Sequence, residues 1–252
     1  MSIPFIDLQA QRKRIESEIN TAILSVVESG RYVLGPEVTE LEKQLADWCG
    51  ASHSVSCANG TDALALALMA WELKPGDAVF CPSFTFVATA QVVPWLGAAP
   101  VFVDILPDTY NMDPAHLRKQ VEAVKAEGKL TPKVVIAVDL FGQPANYPEI
   151  KAICDEFGLK LIADTAQGYG CTLNGKHPSD WADIATTSFF PERPLSPSGP
   201  PRSNAPAPLT WIDAGTSAKR PGISAESTAI SASRATRTTR RTRTTAGWTS
   251  WR

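Results

Sequence analysis

Several features that define whole classes of protein are missing from this chain. Its five cysteines, Cys49, Cys57, Cys81, Cys154 and Cys171, are scattered, odd in number and free of any Cys-x-x-Cys spacing. That argues against a zinc ribbon or a disulfide framework, so no metal site is expected and the thiols read as reduced, as in a cytoplasmic protein. The N-terminus, Met-Ser-Ile-Pro-Phe-Ile-Asp, has no basic stretch leading into an apolar run, and no secretory leader is expected. No apolar run approaches the ~18 residues that cross a bilayer, so no membrane partner is expected.

Positive charge is also missing from most of the chain. The net charge of -2 over 252 residues conceals two unlike parts. Residues 1–191 carry fourteen Lys and Arg against twenty-three Asp and Glu, whereas residues 192–252 carry ten against three. An acidic body is poorly suited to phosphate backbones, and no nucleic-acid partner is expected for it. The basic tail (Arg234, Arg237, Arg240, Arg241, Arg243) has no helix pattern or interleaved aromatics to organise its charge, and reads as a solvated, disordered segment.

What the first 191 residues do have is a strand–helix alternation. Apolar spacing predicts helices over 9–29, ending at Gly30 as a C-cap, and over 37–48. Strands follow at 54–57, 78–81, 101–103, 133–139, 160–163 and 185–190. The helices between them are expected at 61–71, 87–96, 114–127 and 147–157. Val134-Val135-Ile136-Ala137-Val138 is continuously apolar, as a strand covered on both faces must be. Long helices between such strands imply parallel pairing, hence an α/β, doubly wound, mostly parallel sheet. Ligands of such sheets bind beyond the carboxyl ends of the strands.

The residues at those ends leave local alternatives open. Asn59-Gly60-Thr61-Asp62 opens a helix and offers amides and a hydroxyl to an anion, or else Thr61 or Asp62 simply caps the helix. Phe84 and Phe86 are either core or a platform for a flat ligand. Asp164 ends an apolar strand, where it either caps the next segment or meets a cation, since an unpaired buried carboxylate is costly. Ser188 closes the last strand with a hydroxyl.

Taken in order, these stretches resemble the DegT/DnrJ/EryC1/StrS sugar aminotransferases. The resemblance runs from about Ile3 to Pro191. It rests on Phe5-Ile6-Asp7-Leu8, Gly35-Pro36-Glu37-Val38-Thr39-Glu40-Leu41-Glu42, Asn59-Gly60-Thr61-Asp62-Ala63-Leu64, Phe84-Thr85-Phe86-Val87-Ala88-Thr89, Asp164-Thr165-Ala166-Gln167 and Ser188-Phe189-Phe190-Pro191. The wording is nearest to bacterial members that aminate a 3-keto UDP-sugar acid for surface polysaccharide, including lipopolysaccharide O-antigen.

The resemblance implies an aspartate-aminotransferase-type large domain over 1–191 that binds pyridoxal 5'-phosphate (PLP). Its partners would be a nucleotide-sugar substrate and glutamate as amino donor. It also implies a homodimer with active sites at the interface, part of which lies in a small C-terminal domain expected to be missing here. Gly60, Thr61, Asp62 and Ser188 would hold the phosphate, Phe86 would stack on the ring, Asp164 would pair with the ring nitrogen, and Gln167 would donate to the phenolic oxygen.

One residue departs from the pattern. The family frame Ser-Phe-x-x-x-Lys supplies the lysine that carries the cofactor and moves the proton. Here it reads Ser188-Phe189-Phe190-Pro191-Glu192-Arg193. Arginine stays protonated and forms no ordinary imine. The only later lysine, Lys219, lies in a Pro/Ser/Ala-rich stretch with nothing to position it, and the prolines from Pro194 to Pro208 are expected to exclude regular structure.

Residues 192–252 therefore read as a tail outside the fold, consistent with out-of-frame translation: joining the last base of the Trp248 codon to the first two of Thr249 forces an Asp codon. The chain is expected to be an impaired transaminase. The rival readings are a non-catalytic binder of PLP or nucleotide sugar and a degraded product without a stable fold.

Overall fold

The computed structural model describes residues 7–190 and 210–214. Arg193, the expected tail apart from residues 210–214, and residues 1–6 lie outside the described residues.

The chain begins with α1 (Leu8–Arg14) and α2 (Glu16–Ser29), separated at Ile15. The single helix expected over 9–29 is thus broken there, where the backbone turns to φ -120°, ψ 19°. Neither helix has a buried residue. The apolar stripe of α2 is real, but it leaves Ile23 and Val27 exposed, so periodicity here reports an amphipathic helix and not a core contact. Gly30 ends α2 in the left-handed conformation expected of a C-cap, φ 65°.

Helix α3 (Pro36–Cys49) starts on a proline and packs Leu41, Leu45 and Cys49 inward. From there the alternation is regular: β1 (Ser54–Cys57), α4 (Gly60–Ala70), β2 (Asp77–Pro82), α5 (Ala88–Trp95), β3 (Ala99–Val103) and α6 (Pro114–Glu127). It continues through β4 (Thr131–Val138), α7 (Tyr147–Phe157), β5 (Lys160–Asp164) and β6 (Ile184–Thr186). The last strand is shorter than the 185–190 expected. A final strand, β7 (Thr210–Ala214), lies inside the segment expected to have no regular structure.

The seven strands form one sheet in the order β1-β7-β6-β5-β4-β2-β3. The β3–β2–β4–β5–β6 ladder is parallel. Strand β7 runs antiparallel to both β6 and β1, pairing Thr186 with Ile212 and Cys57 with Thr210. Two antiparallel steps restore the direction, so β1 runs with the rest. The carboxyl ends of β1, β2, β4, β5 and β6 therefore share one edge.

Apolar residues of the sheet feed two cores. One face holds Phe80, Val135, Ala137 and Leu161 with Leu117 and Val121 of α6 and Ile150 and Ile153 of α7. The other holds Val79, Val134, Ile136 and Ile162 with Leu64 and Leu68 of α4 and Val92 of α5. Val134–Val138 is buried throughout, as expected for a strand covered on both faces.

Candidate active site at the strand ends

The segment after β1 enters α4 through Asn59. Its side chain accepts from the Asp62 amide at 2.9 Å and donates to the Asp62 carboxylate at 3.0 Å. The helix cap is thus Asn59, and not the Thr61 or Asp62 considered from sequence. The Gly60 and Thr61 amides and the Thr61 hydroxyl remain at the positive end of the α4 dipole. Gly60 is pressed against the end of β6: a methyl group there would come to 3.1 Å from Ser188 Cβ and 3.4 Å from Ser188 Oγ. The absence of a side chain at residue 60 is what lets the helix start and the Ser188 hydroxyl meet.

After β2, the loop 83–87 carries both aromatics. Phe86 is 62% exposed and makes no ring contact among the described residues, which disfavours the core alternative. Phe84 is half-exposed and packs with Tyr110 and Phe141, ring centroids 5.9 and 6.4 Å away. The Phe86 carbonyl accepts from the Thr89 amide at 3.2 Å, so ring and hydroxyl sit on one turn.

That hydroxyl is directed at Asp164. Thr89 Oγ1, almost fully buried, donates to Asp164 Oδ2 at 3.2 Å, and Thr85 Oγ1 lies 3.3 Å from Thr89 Oγ1. The other oxygen, Asp164 Oδ1, accepts from the Ala166 amide at 3.2 Å. Asp164 is 7% exposed. Both carboxylate oxygens thus meet a donor from the protein. The Asp164 charge adds to burial in pushing the neighbouring Cys81 thiol up to about 12, which keeps that thiol protonated and inert.

Gln167 follows on the same turn. Its Oε1 accepts from the Phe141 amide at 2.8 Å. A backbone N–H can only meet the carbonyl end of the carboxamide, so this contact assigns the orientation, and the NH2 end is left as a donor. The β5 and β6 ends are tied together by the Thr165 hydroxyl, which donates to the Thr186 carbonyl at 2.9 Å.

One edge thus assembles a helix N-terminus with two hydroxyls, an exposed flat ring, a buried carboxylate, and an oriented amide donor. The model of the DegT/DnrJ/EryC1/StrS aminotransferase family matches residues 13–199. The chain belongs to this family.

Among its relatives is the UDP-2-acetamido-2-deoxy-3-oxo-D-glucuronate aminotransferase of Pseudomonas aeruginosa, 48% identical over 195 residues, which cover 77% of this chain and 52% of that protein. The UDP-N-acetyl-3-dehydro-alpha-D-glucosamine 3-aminotransferase of Acidithiobacillus ferrooxidans is 40% identical over 200 residues, 79% of this chain and 52% of the relative. The crystal structure of a family aminotransferase from Brucella abortus superposes with a TM-score of 0.81 at 44% identity, covering 92% of this chain and 58% of that one. The Bacillus subtilis NtdA structure, solved with bound cofactor PMP, gives 0.70 at 28% identity, covering 84% and 45%. The chain spans about half the length of the curated relatives it matches.

Within this family frame, the sequence-derived residues Gly60, Thr61, Asp62, Phe86, Asp164, Gln167 and Ser188 all lie at the one edge. Arg193 lies outside the described residues. Two polar residues near this edge were not singled out from sequence. Thr89 was seen only as part of a motif, because a threonine opening a helix carries no mark of its tertiary partner. Asp139 directly follows the apolar strand β4, much as Asp164 closes β5, and that signal was available to find it.

No helix among the described residues is long and apolar enough to cross a membrane. Among the same residues no group of three or more His, Cys, Asp or Glu could hold a metal ion.

Proposed function

We propose that residues 1–191 form the cofactor-binding part of a PLP-dependent nucleotide-sugar aminotransferase, and that this chain binds the cofactor without a covalent link. The observation that carries the reading is the Gly60–Ser188 contact across from Asp164. A Cβ at residue 60 would press on Ser188, 3.1 Å from its Cβ, so the glycine keeps the α4 amides beside the Ser188 hydroxyl, and these belong to the donor set a phosphorylated pyridine requires.

The residues fit the group. Gly60, Thr61 and Ser188 would hold its phosphate, with the α4 dipole favouring the negative charge. Phe86 would stack on the ring, Asp164 would keep the ring nitrogen protonated, and the Gln167 NH2 would donate to the phenolic oxygen. When bound, the cofactor supplies an electron sink for the carbon that gains or loses the amino group. The chain's own part is to fix that ring and hold the proton on its nitrogen. Relatives named for action on UDP-linked 3-oxo and 3-dehydro sugars support a keto-sugar nucleotide as substrate class, and glutamate is proposed as the amino donor from the family resemblance alone.

Turnover needs a group that moves a proton at the reacting carbon. Arg193 occupies the lysine position of the family frame, and arginine does not release its proton near neutral pH. A chain that binds but does not transaminate follows. The test is incubation with PLP, reduction with borohydride, and peptide mapping. Reversible binding with no single stoichiometrically modified lysine is expected, whereas a stoichiometric adduct at one lysine contradicts the proposal. The same reading makes the tail a frame change in the gene. Nucleotide sequence across codons 188–200 should return to family-like text when one frame is shifted, and unrelated text in every frame overturns it.

A further inference from the structure

Asp139 is fully buried at the end of β4, with 0% of its surface exposed, and no role proposed above uses it. Three donors surround its carboxylate. Oδ1 accepts from the Tyr147 hydroxyl at 2.7 Å and from the Ala145 amide at 3.0 Å, and Oδ2 faces the Cys171 thiol at 3.7 Å. These contacts close the connection from β4 to α7 onto its own starting residue.

The same aspartate is wedged against the turn that carries Gln167. A Cβ at Gly168 would lie 2.4 Å from Asp139 Cβ, a distance no side chain tolerates. The Asp139 amide donates to the Asp164 carbonyl at 3.0 Å. Two residues on, Phe141 adopts a left-handed backbone, φ 57°, and its amide donates to Gln167 Oε1 at 2.8 Å. A phenylalanine holds that conformation only where its surroundings impose it. The bonds that flank it are those of Asp139, whose carbonyl accepts from the Gly142 amide at 3.2 Å, and that of the Leu140 amide, which donates to Asn111 Oδ1 at 3.3 Å.

We propose that Asp139 is a positioning residue for the Gln167 carboxamide: its clamped carboxylate fixes the Phe141 N–H, and that N–H holds Gln167 with its NH2 end directed to the ligand. The inference rests on the reading of Gln167 as a cofactor contact. Asp139 touches neither cofactor nor substrate. It acts through the Phe141 backbone, as a supporting residue must if a donor is to be held within a fraction of an ångström.

The experiment uses the full chain, in two parts. In the unliganded protein, hydrogen exchange of the Phe141 amide is compared between wild type, Asp139→Asn and Tyr147→Phe, with the Ile136 amide of β4 as internal reference. Above the value of about 7 at which Asp139 ionises, each substitution should speed Phe141 exchange tenfold or more with Ile136 unchanged. Tyr147→Phe keeps the carboxylate and the ring, so it remains informative if Asp139→Asn folds poorly. Unchanged Phe141 protection overturns the proposal.

The second part adds pyridoxamine phosphate and follows the absorbance that reports ionisation of its phenolic oxygen. Asp139→Asn should shift the spectrum in the same direction as Gln167→Ala, and the double variant should shift no further, since both act through one contact. Independent, additive shifts, or a lowered melting temperature with an unaltered spectrum, overturn it. If the wild type leaves the spectrum of pyridoxamine phosphate unchanged, the cofactor reading fails instead, and the exchange result still decides the role of Asp139.

Discussion

At the scale of single residues, two buried carboxyl groups, Asp139 and Asp164, stand at the carboxyl ends of the adjacent strands β4 and β5. Asp164 has donors at both oxygens, one of them the buried Thr89 hydroxyl. A hydrogen bond to a charged group contributes about 1.5–3 kcal/mol. Thr89→Val, close to isosteric, should therefore weaken PLP binding by roughly tenfold or more, read by titration, with the fold intact. Equal affinity in the variant would show that Thr89 does not support Asp164.

Asp139 behaves differently. Burial pushes its carboxyl up from the ordinary 3.8 to about 7, with Tyr147 and Ala145 pulling the other way and the Asp164 charge adding to the rise. Between those values the folded chain keeps a proton that the unfolded chain has released. The resulting stability is present in full below 3.8 and is lost as pH rises to about 7. Denaturant melts across that window should show falling stability, and Asp139→Asn should flatten the fall. An unchanged slope in the variant would place the titration elsewhere. Gly168→Ala should cost about the 1–3 kcal/mol typical of overpacking, because the new methyl would meet the Asp139 Cβ at 2.4 Å, so something there must shift.

At the scale of elements, most of the chain was legible because its periodicities are strong and its punctuation is conventional. The ranges 114–127 and 147–157 were read as helices, and α6 and α7 span those residues, each ending at a left-handed glycine, Gly128 or Gly158. The start of α4 was harder. Asn, Gly, Thr and Asp in a row offer several caps, and only the geometry selects Asn59. Asn59→Ala should cost about 1 kcal/mol of stability and loosen the Asp62 end of the cradle, measured as a lower denaturation midpoint. A midpoint unchanged from wild type would contradict the cap. The break at Ile15 was not legible, since the apolar stripe continues through it. Spacing reports which residues share a face, and not whether the backbone between them stays helical.

At the scale of the whole molecule, the parallel sheet followed from the alternation, but its order did not. Placing β2 between β3 and β4, and β1 at an edge reached through β7, depends on pairings between residues far apart in sequence. Strand β7 shows the limit most clearly. Thr210–Ala214 follows a proline-rich run and has no helical or alternating pattern long enough to mark it, yet its backbone fills the place between β1 and β6. By pairing with both strands it joins β1 to the rest of the sheet.

The family, the fold and the cradle converge on one claim, that this body binds PLP through Asp164 and the residues around it. Thermal melting of the full chain against PLP concentration tests it most directly, because a ligand that binds the folded state alone raises the midpoint by mass action. The account predicts a cooperative transition whose midpoint rises with PLP in the wild type and stays flat in Asp164→Ala. A midpoint indifferent to PLP, or one that rises equally in both proteins, would contradict it.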